Sequence, residues 1–388
     1  MSNEICNKKY CTGCGACVAV CPKQCITFQP NPQGHLFPHI DKQACVNCNL
    51  CRKTCPVNTP VPMNQPLACY AAWAKDEKDR TSSSSGAASS VFAAHILKQG
   101  GVVYGAALQD NTIQHIRVSS AEDLPRIKGS KYVYSYVADV YKQVKQDLKD
   151  GKTVLFTGTP CQNAAVYNLI GENPNLILVN LICHGVPSMQ MLRDHLKAQN
   201  IIKIHKIQFR HNNHVDAFVC NDYKALDRVF PDAYVICFLE GYTYRSSCYN
   251  CSYAQPKRTG DITIGDFWGL GKEAPFEGDA TKGCSAVIIN TAKGQALFST
   301  CQDKLQLFER KYQEAINGNG QLSHPVPYTW HSKLFNKLYP LLSFEKAAFL
   351  STTLVMVKQV IIRSLKNYAP NLYKSVLLKF CSILKELK

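Results

Sequence analysis

Between residues 67 and 315 short apolar runs alternate with amphipathic stretches, and the two have different periods. Runs at 101–108, 154–157, 176–182, 262–264 and 286–289 are brief, continuous and rich in Val, Ile and Leu, which predicts buried strands. Residues 139–148 predict a helix: Val140, Val144 and Leu148 fall on one face, with Lys142, Lys145 and Asp147 elsewhere. A second helix, over 87–97, follows a run of serines. Strand alternating with helix predicts an α/β domain over 67–315. Past Trp330 the pattern turns helical and basic. Leu354, Val357, Ile361 and Leu365 share a face while Lys358, Arg363 and Lys366 lie off it, so a basic amphipathic tail is expected over 330–388. Residues 1–62 hold little that is apolar apart from cysteine, and Pro60, Pro62 and Pro66 predict a linker after them.

Composition changes this picture in two places. The 388 residues carry a net charge of +16. Half of that excess lies in 333–388, where ten Lys or Arg face only Glu345 and Glu386. A basic tail suits an anionic membrane surface or an acidic partner. No nucleic-acid module is recognisable, and nucleic acid is not expected as a partner. No run approaches the ~20 apolar residues of a spanning helix; the longest, 349–357, stops at Lys358. The opening Met1-Ser2-Asn3-Glu4-Ile5-Cys6 has neither a basic leader nor an apolar run, so the expectation is a cytoplasmic protein, its tail read either as a helix packed on the catalytic domain or as a peripheral contact with anionic lipid at the inner membrane face.

The second place is cysteine. Twenty are present, ten of them before residue 60, in groups rather than evenly spread. In a reducing compartment such groups point to metal rather than disulfides. Cys11-x-x-Cys14-x-x-Cys17-x-x-x-Cys21-Pro22 recurs as Cys45-x-x-Cys48-x-x-Cys51-x-x-x-Cys55-Pro56, a repeat of period 34. Thiolates at every third residue of a tight loop wrap one cubane with three ligands, and in two-cluster ferredoxins the fourth cysteine ligates the partner cluster. Cys11, Cys14, Cys17 and Cys55 are therefore assigned to one [4Fe–4S] cluster, and Cys45, Cys48, Cys51 and Cys21 to the other. Gly13 and Gly15 let backbone N–H groups approach the sulfurs. Paired structural zinc sites are the competing reading, but these more often show two Cys-x-x-Cys pairs across a longer loop. Cys6 and Cys25 fall outside the frame and read as spare thiols. The expected architecture is thus an α+β ferredoxin-like N-terminal module (1–62), an α/β catalytic domain (67–315) and a helical C-terminal tail (330–388).

Four more cysteines bear on the α/β domain. If the strands at 154–157 and 176–182 are parallel, Cys161 and Cys183 both lie just past carboxyl ends, at the sheet edge where open α/β sheets bind ligands. Cys248-x-x-Cys251 adds two thiolates at chelating spacing. The inference is a third [4Fe–4S] cluster on Cys161, Cys183, Cys248 and Cys251. Two alternatives stand beside it: Cys161 as a lone nucleophile at a helix N-terminus, or Cys248 and Cys251 holding zinc with His184 or another histidine. The polar segment around His211 and His214 reads as an exposed turn. Cys69, Cys220, Cys237, Cys284, Cys301 and Cys381 lack chelating neighbours and read as buried small hydrophobes.

Six ordered motifs resemble the coenzyme F-420 hydrogenase/dehydrogenase beta-subunit family over roughly residues 67–310. They are the serine run ending at Gly86, Gly129-Ser130-Lys131-Tyr132-Val133, Gly158-Thr159-Pro160-Cys161-Gln162, Cys183-His184-Gly185-Val186-Pro187-Ser188, Cys248-x-x-Cys251 and the segment 260–269 with Asp266 and Trp268. The resemblance implies FAD beside an iron–sulfur cluster, converting between one-electron carriers and a two-electron hydride partner. It makes Gly158, Thr159, Pro160 and Gln162 candidate flavin contacts. It also favours a phosphate cradle at Ser84, Ser85 and Gly86 over a plain serine linker. Ser130 and Lys131 are candidates for a phosphate or the flavin N1–C2=O side, and His184 for a contact with a cluster sulfur or the flavin. Trp268 is read either as core packing or as a ring platform. Two departures stand out: Gly86-Ala87 replaces a pair of glycines, and 163–166 lacks a glycine common in the family. The expected function is an iron–sulfur flavoprotein oxidoreductase, exchanging electrons with ferredoxin or another carrier protein and hydride with an organic acceptor or donor. The alternative is an electron-transfer subunit, without a substrate site, docked on a separate enzyme.

Overall fold

The computed structural model describes residues 4–210, 218–224 and 232–352. The turn expected around His211 and His214, Cys381, and the amphipathic face from Leu354 to Leu365 lie outside the described residues.

The N-terminal module consists of α1 (Ala16–Val20), an antiparallel hairpin of β1 (Ile26–Pro30) and β2 (Leu36–Ile40), and α2 (Leu50–Lys53). Each short helix starts at the third residue of a Cys-x-x-Cys step and is entered through a left-handed residue, Gly15 or Asn49. β3 (Ala68–Ala74), α3 (Glu77–Ser82) and α4 (Ala88–Lys98) follow. Next come β4 (Val102–Gln109), β5 (Thr112–Val118), α5 (Val140–Lys149) and β6 (Val154–Gly158). After α6 (Pro160–Ile170), β7 (Leu176–Leu181) and α7 (Met189–Ala198), the two-residue strands β8 (Ile207–Gln208), β9 (Val219–Cys220) and β10 (Tyr223–Lys224) form a small sheet. The chain continues through α8 (Ala233–Leu239), β11 (Ile262–Asp266), β12 (Ser285–Ile289), α9 (Ala292–Cys301), β13 (Leu305–Glu309), α10 (Tyr312–Gly318) and α11 (Trp330–Leu338).

The main sheet has eight strands in the order β13-β3-β12-β11-β7-β6-β4-β5. Four neighbouring strands, β11, β7, β6 and β4, are parallel; the flanks are antiparallel. The parallel strands are buried on both faces, which is why they read as continuous apolar runs rather than alternating ones. Val103, Leu155, Ile177 and Val179 face α4 and α9, packing on Phe92 and Phe298. Tyr104, Phe156 and Leu178 face the opposite way onto α5 and α6, where Val140, Val144, Ala165 and Val166 meet them. A further core gathers α7, α8 and α11 around Phe218, Tyr234, Phe335 and Phe344, so the beginning of the predicted tail is packed against the domain. Among the described residues no helix is long and apolar enough to cross a membrane.

The proline-spaced segment is not a free linker. Val61 is buried against Ala164 and Tyr253. Asn64 exchanges two backbone hydrogen bonds with Arg258 (2.7 and 2.9 Å), and the Leu67 N–H donates to the Ile289 carbonyl (2.7 Å). Prolines space the segment, but paired backbone between them fixes it as a strap across the sheet edge.

Candidate functional site

β6 and β7 pair in parallel, with Gly158 opposite Asn180. Their carboxyl ends therefore deliver Cys161, in the first turn of α6, and Cys183, two residues past Leu181, to the same edge. The local sequence builds that corner. Thr159 is the N-cap of α6 and forms a capping box with Gln162, whose Oε1 accepts from the Thr159 N–H (3.0 Å), and Pro160 occupies the first helical position. Cys248 and Cys251 reach the edge from a single helical turn after α8. All four cysteines line one cavity of about 330 Å³. Burial raises each thiol: Cys161 to about 11, Cys248 to about 12, Cys251 upward and Cys183 far upward, with the neighbouring thiolates adding to the burial at Cys183 and Cys248. Four thiols that oppose one another's ionisation need a strong local cation before they can ligate.

In the N-terminal module the two proposed ligand sets differ in burial. Burial raises Cys17, with Cys14, Cys11 and Cys55 adding their charge. Burial takes Cys14 up to about 12, and Cys161 of the α/β domain adds to the rise ahead of Cys55. This inner set is thus within electrostatic reach of the cavity thiols. Its mooring is explicit: the hydroxyls of Tyr134 and Tyr141 donate to the carbonyls of Gly13 (2.7 Å) and Cys14 (2.6 Å). Cys48 of the outer set is exposed, and Cys45, Cys51 and Cys21 are half-buried. The two cysteines outside the frame are not distant spares. Cys25 Sγ lies 3.4 Å from Cys21 Sγ. The Cys6 thiol hydrogen-bonds Cys11 and Cys55, lowering them to about 6 and about 7. A three-residue spacing rule carries no signal for either contact. Every described cysteine is a free thiol. Among the described residues no three His, Cys, Asp or Glu side chains converge tightly enough to hold a single ion, and this is as true of the ferredoxin-type sets as of the cavity set.

The rest of the cavity wall comes from the serine loop, residues 128–135, the α6 corner and Asp266–Trp268. Gly86 has no room for a side chain, since a Cβ there would lie 2.1 Å from the Ala72 carbonyl oxygen. The loop's hydroxyls have different fates. Ser84 Oγ accepts from the Ser130 N–H (2.9 Å), and Ser85 Oγ donates to the Cys284 carbonyl (2.9 Å). Ser83 Oγ, which the sequence pattern does not single out, is buried and has no hydrogen-bond partner. Gln162 also lines the cavity, but its amide is committed to the cap and, through Nε2, to the Ser135 carbonyl (3.1 Å). Lys131 donates to the Lys128 carbonyl (2.6 Å) from inside the cavity, and burial lowers it to about 7. Burial holds His184 neutral, at about 4, edge-on to Trp268 (5.0 Å). Trp268 is 38% exposed and is a wall of the cavity rather than core. Arg210, equally unmarked in the sequence, pairs with both oxygens of Asp266 (3.0 and 2.8 Å) at the cavity wall.

Paired thiol sets leading to a cavity at the carboxyl edge of a parallel sheet define an iron–sulfur redox protein. Residues 151–315 match the family model for the C-terminal part of the coenzyme F420 hydrogenase/dehydrogenase beta subunit, and residues 10–59 match that of the 4Fe-4S dicluster domain. These two matches support the coenzyme F420 hydrogenase/dehydrogenase beta-subunit family for residues 151–315 and a dicluster ferredoxin domain for residues 10–59. It is 25% identical over 224 residues to the F subunit of the F(420)H(2) dehydrogenase of Methanosarcina mazei, covering 53% of this chain and 63% of that protein, less than two thirds of its length. An uncharacterized ferredoxin of Methanocaldococcus jannaschii is 35% identical over 54 residues, covering 14% of this chain and 69% of that protein. Among solved structures, a chain of the F420-reducing [NiFe] hydrogenase complex from Methanosarcina barkeri aligns at a TM-score of 0.47 and 16% identity, covering 69% of this chain and 98% of that one.

Proposed function

We propose that this chain is an iron–sulfur flavoprotein oxidoreductase in which electrons enter at the outer ferredoxin-type cluster, pass to the inner one, and reach FAD in the cavity by way of a third [4Fe–4S] cluster on Cys161, Cys183, Cys248 and Cys251. The observation that carries this reading is the reach from Cys14 of the inner set to Cys161 on the wall of the cavity. The four cavity thiols supply the number and kind of ligand a [4Fe–4S] cluster takes. The cavity also fits a flavin nucleotide. Ser83 offers an unpartnered buried hydroxyl, Lys131 an amine that burial brings to about 7 and that a bound anion would charge, and the α4 N-terminus, which has no side-chain cap, its first N–H groups for a phosphate. When bound, FAD supplies the exchange between single electrons and a hydride. Around it, Gly86 and Gly158 keep the backbone close, Ser84 and Ser130 fix the loop, Trp268 and His184 close one side against water, and Lys131 places positive charge.

At the outer end Cys48 is exposed beside exposed Val46, Leu50, Lys42 and Lys53, a surface suited to an acidic one-electron carrier such as a ferredoxin. Free thiols at every described cysteine suit a reducing, cytoplasmic setting. A second reading has one specific support: the Methanosarcina mazei relative is by name one subunit of a dehydrogenase. In that reading the chain relays electrons to a separate enzyme and has no substrate of its own.

The test is the iron, sulfide and flavin content of anaerobically purified protein, wild type against Cys248→Ala. About twelve irons and one FAD, falling to about eight irons in the variant, support three clusters and the flavin. About eight irons in both, without flavin, overturn the proposal. Reoxidation of the reduced, isolated chain by an organic acceptor then separates the oxidoreductase from the relay.

A further inference from the structure

Arg245 and Arg258 are the two bulkiest side chains that the fold buries completely, at 1% and 2% exposed. A guanidinium in such a place needs an anion, or burial is strongly unfavourable. Neither has a carboxylate partner among the described residues. Arg245 Nε donates to the Cys11 carbonyl (2.5 Å), one Nη donates to the Leu36 carbonyl (2.7 Å), and the same Nη lies 3.6 Å from Cys11 Sγ. The group stacks over Phe37 at 4.2 Å. The backbone makes room for it: Gly13 sits at φ +68°, and a Cβ there would come 2.9 Å from the other Nη. Nearby His35, driven down to about 3 by burial and by Arg245 itself, is neutral and supplies no negative charge. What remains to balance Arg245 is the sulfur it touches.

We propose that Arg245 is the built-in counter-charge of the inner ferredoxin-type cluster and holds its reduction potential above that of the outer cluster, so that electrons run inward. Four thiolates outweigh the charge of a [4Fe–4S] core, so the cluster is anionic and becomes more so when reduced. A buried cation in contact with a ligand therefore stabilises the reduced state more than the oxidised one. Among the described residues the outer set has no fully buried cation: Lys42 and Lys53 are exposed, where water and salt screen them, and Arg52, whose charge reaches Cys51, is only half-buried and so partly screened. The step is a bare electron transfer; the outer cluster is oxidised by one electron and the inner reduced by one, with no proton moved. Arg258 repeats the arrangement at the cavity thiols. It donates only to the carbonyls of Tyr253 (3.0 Å) and Gln255 (3.1 Å) and to Thr263 Oγ1 (3.3 Å), and it lines the same cavity as Cys251. The inference on Arg245 rests on the two-cluster reading alone, so it stands or falls independently of the flavin and of the third cluster.

The experiment is a potentiometric titration of the full chain followed by electron paramagnetic resonance, with the outer signal assigned by its loss in Cys48→Ala. In the wild type the inner midpoint is expected above the outer one. Arg245→Gln removes the charge and keeps one amide N–H donor, while Arg245→Lys keeps the charge and changes the donor. At the wild-type midpoint it should lower the inner cluster's reduced-to-oxidised ratio at least tenfold, about 59 mV for a one-electron couple, with the outer cluster unmoved. Arg245→Lys should restore most of the shift. An inner midpoint at or below the outer one in the wild type, an unmoved inner midpoint in Arg245→Gln, or equal movement of both clusters would overturn the proposal. If Arg245→Gln fails to retain its inner cluster, salt titration of the wild type decides: the outer midpoint should move with ionic strength and the inner one hardly at all, and equal movement refutes the idea.

Discussion

Protonated His195 is a clasp between the domain and the start of its C-terminal segment, and raising the pH should open it. The ring is 1% exposed, with Nε2 3.1 Å from Asp232 and Nδ1 2.6 Å from Glu345. Burial alone would lower its pKa, but Asp232 and then Glu345 raise it to about 9. A rise from 6.5 to about 9 corresponds to about 3 kcal/mol of preference for the protonated folded state. Asp232 accounts for most of it, because the Glu345 side chain is 34% exposed and screened. Since the folded-state value lies above the unfolded one, the stabilisation is complete below pH 6.5 and is lost as the pH climbs through 9. Asp232 is shifted downward and stays ionised across that window, so it adds no slope there. Hydrogen exchange of 344–352, α7 and α8, corrected for intrinsic rates, should show opening free energies falling by up to about 3 kcal/mol between pH 6.5 and 9.5 in the wild type. His195→Gln cannot titrate and should start lower but stay flat. The same slope in both proteins would mean that His195 does not govern it, and the reasoning would fail.

The serine loop supplies a matched pair of tests. Ala87 is held at φ +65° as the N-cap of α4, a conformation that suits glycine, so Ala87→Gly should stabilise by about 1 kcal/mol, read as a raised unfolding midpoint. Gly86→Ala should do the reverse, losing about 3 kcal/mol or more, because its Cβ would meet the backbone of β3 and β12, at Ala72 and Ser285. A Gly86→Ala protein as stable as wild type would mean that the loop is not locked to the sheet. Lys131→Gln should purify with its iron intact and its FAD reduced several-fold; unchanged flavin per chain would remove Lys131 from the cofactor's surroundings.

The middle of the sheet was legible because burial on both faces leaves predominantly apolar runs: β4, β6, β7 and β11, with the antiparallel β12 beside them, all fall where the pattern puts them. β3 was not, since Ala-Cys-Tyr-Ala-Ala-Trp-Ala lacks the β-branched residues that mark a strand and is held by its pairing with β12 and β13 instead. The two-residue strands of the small sheet leave too short a pattern to read. At the site, cysteine spacing together with sheet topology brought Cys161, Cys183, Cys248 and Cys251 to one place. The polar lining was harder, because a sequence shows which hydroxyls exist but not which are already used. Ser84, Ser85 and Gln162 are engaged by the protein's own backbone while Ser83 is left over. Arg245 and Arg258 were invisible for a related reason: an arginine reads as surface until the group that calls it inward is located.

The strap from Val61 to Leu67, with the tyrosine moorings of Gly13 and Cys14, makes the N-terminal module part of the domain's own wall. The two halves are consequently not interchangeable cassettes. A ferredoxin grafted in its place would have to reproduce the backbone pairing at Asn64, the apolar seat of Val61 and the glycine that admits Arg245. Cutting the chain between the halves would expose Ala164, Val166 and Tyr253 rather than release two finished proteins. A fixed mounting also sets the electron's path length once, at folding, so the module works as a soldered terminal and not as a swinging arm.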